Sequence, residues 1–407
     1  MPQKQREKAP RFHSPRGSYE KSQVFKPLPA LLLLTACAAL FAQPPKKYAP
    51  LEGRMILCED NSHFFSTRKP EEMTREDLRS WVDQYVGGAV TDLFLCISGQ
   101  RANVPSDGAR EPIWADMDHV QPKDTWPQNA LCLFKAGIDP YTVWIERARE
   151  KSLGVWLSVR MNETYKSDEP AFFTHSSFCV LYSHLWRVSV VKKCEMSEWN
   201  DRALDYASAT VRDYQMKFID YLFDHYDFDG LDLDWMRDGA VFEKEFRPEI
   251  PERLDDFIRK IRAKADRLAE ERTHPVRLSM RVPASPEAAK QMGLSVEKWA
   301  DEGIIDLVIA CPAGDRSDFG VDTAAWKKAL EGTRTALAVS TRRDPLQPGD
   351  TGSSSRSAAE LLSAAAAAKQ AGAVNFCLAG WMDRGGSPVG DKDYSELIGQ
   401  GLGGVSK

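Results

Sequence analysis

The stretch YDFDGLDLDWMRD, residues 226–238, sets five aspartates into an otherwise apolar run. A carboxylate is costly to bury alone, so an acidic strand needs a cation beside it or a polar interior to face. Strand side chains alternate between two sides. Leu231, Leu233 and Trp235 therefore share one side, suited to packing under helices, and Asp232, Asp234 and Met236 share the other. The Cα atoms of Asp232 and Asp234 are then about 7 Å apart. Buried like charges at that range raise the pKa of one member unless a cation compensates.

Short apolar runs of the same kind recur along the chain: RMILCED (54–60), TDLFLCIS (91–98), GVWLSVRMN (154–162), VRLSMRVP (276–283), IDLVIACP (305–312), TRTALAVSTR (333–342) and AVNFCLAGW (373–381). Amphipathic stretches lie between them. Residues 208–225 put Val211, Tyr214, Phe218 and Leu222 on one helical face, and residues 252–272 do the same with Leu254, Phe257, Ile258, Ile261, Ala265 and Leu268. Further helices are expected near Thr74, Tyr141, Val296, Ala324 and Ser357, the last opening with the capping pattern SAAE. Eight β units alternating with helices predict the α/β class and a (β/α)8 barrel, or TIM barrel. Strand count alone leaves a doubly wound sheet as the alternative. No G-x-G-x-x-G or P-loop pattern follows any of the runs, which removes that fold's usual cofactor reason.

A bare barrel needs about 250 residues, and this chain has 407. The surplus falls after strand two (residues 99–139) and after strand three (residues 163–207), both in βα loops. The second is rich in aromatic and histidine side chains, Tyr165, Phe172, Phe173, His175, Tyr182 and Trp186 among them. Long ordered loops usually bind something; a packed cap over the barrel is the other reading.

Composition excludes several function classes. The chain is 43% hydrophobic and 28% charged with a net charge of −5, and its basic residues past the N-terminal region are scattered, so no nucleic-acid surface is expected. Residues 1–42 differ: a basic stretch from Lys4 to Lys26 precedes LPALLLLTACAALFA (28–42), the layout of an export signal. Within it, LTAC (Leu34 to Cys37) resembles a bacterial lipoprotein box, which would lipidate Cys37 and tether the protein to a membrane. Ordinary cleavage after Ala42 fits equally. Either route takes residues 43–407, a single barrel domain, out of the cytosol to a periplasmic, membrane-anchored or secreted location. The body's seven cysteines show no C-x-x-C spacing, so no zinc site is expected. Cys58, Cys96, Cys311 and Cys377 read as small buried hydrophobes, and Cys179 and Cys194 are the pair available for a disulfide.

The parity seen in strand four extends to its neighbours. Trp156, Ser158, Arg160 and Asn162 face inward on strand three, Arg277, Ser279 and Arg281 on strand five, Ser340 and Arg342 on strand seven, Asn375 and Trp381 on strand eight. Polar residues thus gather toward the C-terminal strand ends, where barrels build their sites. Arg160 and Arg281 are the expected compensating cations. Arg160 with Asp232 reads as an internal salt bridge low in the barrel, and Asp234, nearer the mouth, as the functional acid.

At these residues the chain resembles barrel glycoside hydrolases. FDGLDLDW (228–235) is similar to the family 18 chitinase signature D-x-x-D-x-D-x-E, with Asp229, Asp232 and Asp234 at its aspartates; Met236 stands where that family has its proton-donating glutamate, and SVRMNET (158–164) replaces that family's S-x-G-G. Residues 203–237, a helix running into the acidic strand, resemble glycosyl-hydrolase-like families related to family 10, and residues 281–309 fit their general pattern. The resemblance implies a carbohydrate-active barrel acting on an oligo- or polysaccharide, with no cofactor.

Glycosidic hydrolysis needs two carboxyl groups. Asp234 is the expected first, with Asp232 beside it, and Glu163 the leading second; Asp60, Asp238, Glu243, Asp315 and Asp383 are alternatives. Asn162, Arg160, Arg281, Arg342 and Arg237 would contact sugar hydroxyls, and Trp381 would offer a stacking face. The rival reading is a carbohydrate-binding barrel without catalysis. A metal-dependent hydrolase is disfavoured, because His63, His175 and His184 have no H-x-H or H-E-x-x-H spacing.

Overall fold

Eight parallel strands close into one barrel in the computed structural model, which describes residues 49–166, 169, 171–187, 202–236, 250–312, 320–342 and 358–379. They are β1 (Met55–Glu59), β2 (Asp92–Ser98), β3 (Gly154–Arg160), β4 (Gly230–Asp234), β5 (Arg277–Val282), β6 (Leu307–Ala310), β7 (Ala336–Arg342) and β8 (Asn375–Ala379). Each pairs with the next, and β8 returns to β1 through Met55↔Phe376 and Cys58↔Ala379. That closure rules out the doubly wound sheet, whose edge strands never meet.

The helices are α1 (His63–Thr67), α2 (Arg75–Asp83), α3 (Thr125–Lys135), α4 (Pro140–Glu150), α5 (Ser177–Leu181), α6 (Ala209–His225), α7 (Ile250–Arg272), α8 (Pro286–Gln291), α9 (Val296–Asp301), α10 (Thr323–Ala329) and α11 (Ala358–Gln370). Several begin where a side chain caps them. Thr74 accepts from the Asp77 amide, Asp139 from those of Tyr141 and Thr142, and Asp322 from that of Ala325. Val211, Phe218 and Leu222 of α6 and Leu254, Ile258 and Ile261 of α7 are buried, as their 3.6-residue spacing requires.

One element departs from expectation. Residues 99–139 are not all loop, because α3 lies within them. Asn129 on its buried face donates to the carbonyls of Phe65 (2.7 Å) and Arg68 (2.8 Å), fastening α3 to the end of α1. Pro127 hides this helix from a sequence reading, yet it stands in the first turn, where a missing amide costs nothing.

Side-chain parity divides the apolar residues as the strand pattern predicts. Val155, Leu157, Leu231, Leu233, Leu278 and Met280 pack outward into the main core with the helices. Ile56, Cys58, Phe94, Trp156, Ile309 and Cys377 form a separate apolar cluster along the axis. Trp156 stacks on Phe94 with ring centroids 4.7 Å apart, plugging the end of the barrel away from the site. Gly230, level with Trp156, makes room for that ring: a Cβ there would stand 2.2 Å from Trp156 Cε3. Gly230→Ala should therefore cost about 1–3 kcal/mol from overpacking, read as a lower midpoint in urea unfolding; an unchanged midpoint would refute this packing account.

Candidate functional site

The register across β3, β4 and β5 builds the site in two tiers. In the lower tier Ser158, Asp232 and Ser279 stand level; in the upper, Arg160, Asp234 and Arg281 do. Three short sequences, S-x-R, D-x-D and S-x-R, thus place each aspartate between two partners once the strands align.

Asp232 is fully buried. Ser158 Oγ donates to its Oδ2 and Ser279 Oγ to its Oδ1, each at 2.7 Å. Arg281 Nε lies 2.9 Å from Oδ2 as an ion pair, although its N–H lies off the hydrogen-bonding line. Burial raises the Asp232 carboxyl from its ordinary value, against the opposing pull of Arg281 and with Asp234 adding to the rise. Arg281 also reaches Asp234 Oδ2 at 3.6 Å and touches Cys58 Sγ. Burial works against the Arg281 charge, but Asp232, Cys58 and Asp234 outweigh it and hold the guanidinium well above its ordinary value. Asp234 keeps 7% of its surface, and its Oδ1 accepts the Met236 amide at 2.8 Å.

Arg160 does not serve Asp232, which corrects the salt bridge expected from sequence. It stands one tier higher, level with Asp234, and its guanidinium turns toward the end of β1. There it pairs with Asp60, donates to Asn61 Oδ1 at 2.9 Å, and meets Glu163 Oε2 at 2.7 Å. Burial opposes this charge too, yet Asp60, Glu163 and Asp234 are among the groups that keep Arg160 well above its usual value. Two arginines thus hold four carboxylates at one end of the barrel: Asp232 and Asp234 on Arg281, Asp60 and Glu163 on Arg160.

Other sequence-expected residues have different employment. The Asn162 side chain fastens the third βα loop: its Oδ1 accepts the Leu204 amide at 2.9 Å and its Nδ2 donates to the Leu204 carbonyl at 3.3 Å. Much of that loop's aromatic content is spent on packing. Phe178 stacks on Tyr214 at 3.8 Å, Phe173 meets Trp126 edge-on at 5.8 Å, and Trp186 Nε1 donates to the Cys179 carbonyl at 3.0 Å. Met236 is half-buried against the axial apolar cluster. Cys58, Cys96, Cys179, Cys311 and Cys377 are buried, and burial pushes the thiols of Cys96, Cys179 and Cys377 up to about 11. Among the described residues no cluster of histidine, cysteine and acidic groups could hold a metal ion.

Arg342 closes β7, but its side chain is not among those described. Residues 1–42 with Cys37, and Cys194, Trp199, Arg237, Asp238, Glu243, Asp315, Trp381 and Asp383, lie outside the described residues. No helix among the described residues is long and apolar enough to cross a membrane.

Sequence reasoning missed Asn61, Gln100 and Arg110. Asn61 stands two residues past β1, off the inward parity of Ile56 and Cys58, so strand alternation did not mark it. Gln100, which donates to the Glu163 carbonyl at 2.7 Å, and the buried Arg110 lie in an irregular segment where no periodicity marks direction.

No protein-family model matches the chain. No curated protein matches it either. Among solved structures it is similar to alpha-L-fucosidase isoenzyme 2 from Paenibacillus thiaminolyticus, with a TM-score of 0.50 and 13% identity over 86% of this chain and 49% of that one, so it spans about half of that protein's length. The PgaB (BpsB) glycoside hydrolase domain from Bordetella bronchiseptica aligns with a TM-score of 0.48 and 11% identity over 81% and 94% of the two chains. The chitinase-like agglutinin RobpsCRA from Robinia pseudoacacia aligns at 0.44 and 13%, over 86% and 98%. At these identities the likeness is one of fold, and the fold is the TIM barrel.

Proposed function

We propose that this chain is an exported carbohydrate-active enzyme that cleaves glycosidic bonds in an oligo- or polysaccharide, using Asp234 and a second carboxylate, Glu163. The reading rests on one observation above all: four carboxylates and two arginines converge at the C-terminal strand ends, the end of a barrel that carries chemistry. Asp234 faces the axis at the top of β4 and is level with Arg160, whose guanidinium carries Glu163. Asp234 is also among the charges that hold the Arg160 guanidinium in its charged form. Asp234 would act as nucleophile, base or electrostatic stabiliser, and Glu163 would exchange a proton with the glycosidic oxygen or the attacking water. Arg237, Arg342 and Trp381, at or beyond strand ends, would meet the sugar. The basic and apolar layout of residues 1–42 supports export, with a membrane tether if Cys37 is lipidated.

A carbohydrate-binding barrel without catalysis is the second reading. Met236 favours it, because a thioether packed on the axial cluster occupies the position of a chitinase-type proton donor. The test is a screen of the purified protein on polysaccharides and aryl glycosides, with Asp234→Asn as control and affinity electrophoresis in polysaccharide gels beside it. Hydrolysis lost in the variant supports the enzyme. Retarded migration without hydrolysis supports the binding protein, and neither outcome on any carbohydrate sinks both.

A further inference from the structure

Asn103 is 2% exposed and stands where the chain turns back after β2, its backbone amide donating to the Ile97 carbonyl at 3.1 Å. Its side chain makes three hydrogen bonds. Nδ2 donates to the Asn61 carbonyl (2.6 Å) and to the Tyr141 hydroxyl (2.8 Å), and Oδ1 accepts from Trp126 Nε1 at 2.8 Å. The Tyr141 hydroxyl donates in turn to the Cys96 carbonyl of β2 at 2.8 Å. Both protons of the Asn103 amide are thereby used, and partners from α3 and α4 fix its orientation. A buried amide satisfied in this way is costly to disturb, which makes it a firm anchor for whatever else it holds.

What it holds is the turn that carries the partners of Arg160. Residues 60–62 join β1 to α1, and Asp60 Oδ1 tightens that turn by accepting the Ser62 amide at 2.8 Å. Asp60 Oδ2 and Asn61 Oδ1 both accept from Arg160, the latter at 2.9 Å, and the Nη1 that meets Asn61 also donates to Glu163 Oε2 at 2.7 Å. A chain of hydrogen bonds thus runs from Asn103 through Asn61 and Arg160 to Glu163. The same segment also reaches Glu163 directly. Gln100 Nε2 donates to its carbonyl at 2.7 Å, and Gly99 leaves room for its stem, since a Cβ at that position would stand 3.1 Å from Glu163 Cγ.

We propose that Asn103 is a positioning residue: it holds Asn61, and through Asn61 the Arg160 guanidinium, so that the Glu163 carboxylate keeps one orientation. The role rests on the glycosidase reading, and it gives the surplus residues after β2 a task other than touching sugar. In Asn103→Ala, kcat on a responsive glycoside should fall about 10–100-fold while KM changes less than about threefold, because the placement of a reacting group is lost and sugar binding is not. Asn129→Ala is the control for general loosening: it removes two hydrogen bonds of a buried amide in the same segment, bonds that run to Phe65 and Arg68, and it should keep the wild-type kcat. An unchanged kcat in Asn103→Ala, or an equal loss in Asn129→Ala, would overturn the proposal. Trp126→Phe removes the donor to Asn103 Oδ1 and is judged by the same criteria if Asn103→Ala does not fold. If the wild-type protein hydrolyses no glycoside, the glycosidase reading falls by itself, and ¹⁵N-arginine NMR of the full chain decides on Asn103. The Arg160 guanidinium resonances should be sharp in the wild type and in Asn129→Ala and broadened by exchange in Asn103→Ala; resonances unaltered in Asn103→Ala would overturn the positioning role.

Discussion

Replacing Arg281 by methionine should destabilise the barrel by about 3–5 kcal/mol, because it leaves Asp232 buried with no cation. Methionine approximates the stem's volume, so the loss reports charge and not a cavity. Ser158 and Ser279 would still donate to Asp232, but two neutral hydroxyls do not replace an ion pair at 2.9 Å. The sign of the pH dependence follows from the direction of the Asp232 shift. Its folded pKa already lies above 3.8, and losing the cation raises it further. A carboxyl with a raised folded pKa binds its proton more readily in the native state, so its contribution to stability falls as pH rises from the unfolded value through the folded one. The deficit of Arg281→Met should accordingly be smaller near pH 5 than near pH 8. Urea unfolding at the two pH values measures it; a loss below about 1 kcal/mol, or one larger in acid, would show that Arg281 does not carry the buried charge.

Asp234→Asn should behave in the opposite way, with a large effect on turnover and a small one on stability. The amide keeps an oxygen to accept the Met236 N–H, and Arg281 retains its closer partner, Asp232, at 2.9 Å against 3.6 Å for Asp234. Stability should change by no more than about 1 kcal/mol. If Asp234 is one of the two reacting acids, the rate on a responsive glycoside should fall by about 10²–10⁴-fold. A variant that hydrolyses at the wild-type rate would remove Asp234 from the chemistry, and one that fails to fold would assign it to the salt-bridge framework.

Arg281 and Asp234 also show why part of the site was legible in the strands and part was not. Their inward direction follows from alternation against Leu278, Met280, Leu231 and Leu233, since one apolar face must lie under helices. The choice of partner does not follow from alternation. A guanidinium reaches several acceptors around its own Cα, so Arg160, expected with Asp232, went instead to Asp60 and Asn61 beyond the end of β1 and to Glu163 three residues along its own chain. Asn162 is a second case: its inward parity promised a sugar contact, and the returning chain at Leu204 took its amide. Loop residues such as Arg110 carried no signal at all, because irregular backbone has no period from which to read a direction.

By itself the sequence determined the eight β units, their alternation with helices and the inward faces of strands three, four, five, seven and eight. All of these follow from periodicity and from the requirement that apolar surface leave water. Only the tertiary structure decided closure, the two-tier register of Ser158, Asp232 and Ser279 beneath Arg160, Asp234 and Arg281, and the sharing of four carboxylates between two arginines. Register and ion pairing depend on distances between residues far apart in the chain, and Coulomb energy in a buried site depends on those distances, which local pattern does not encode.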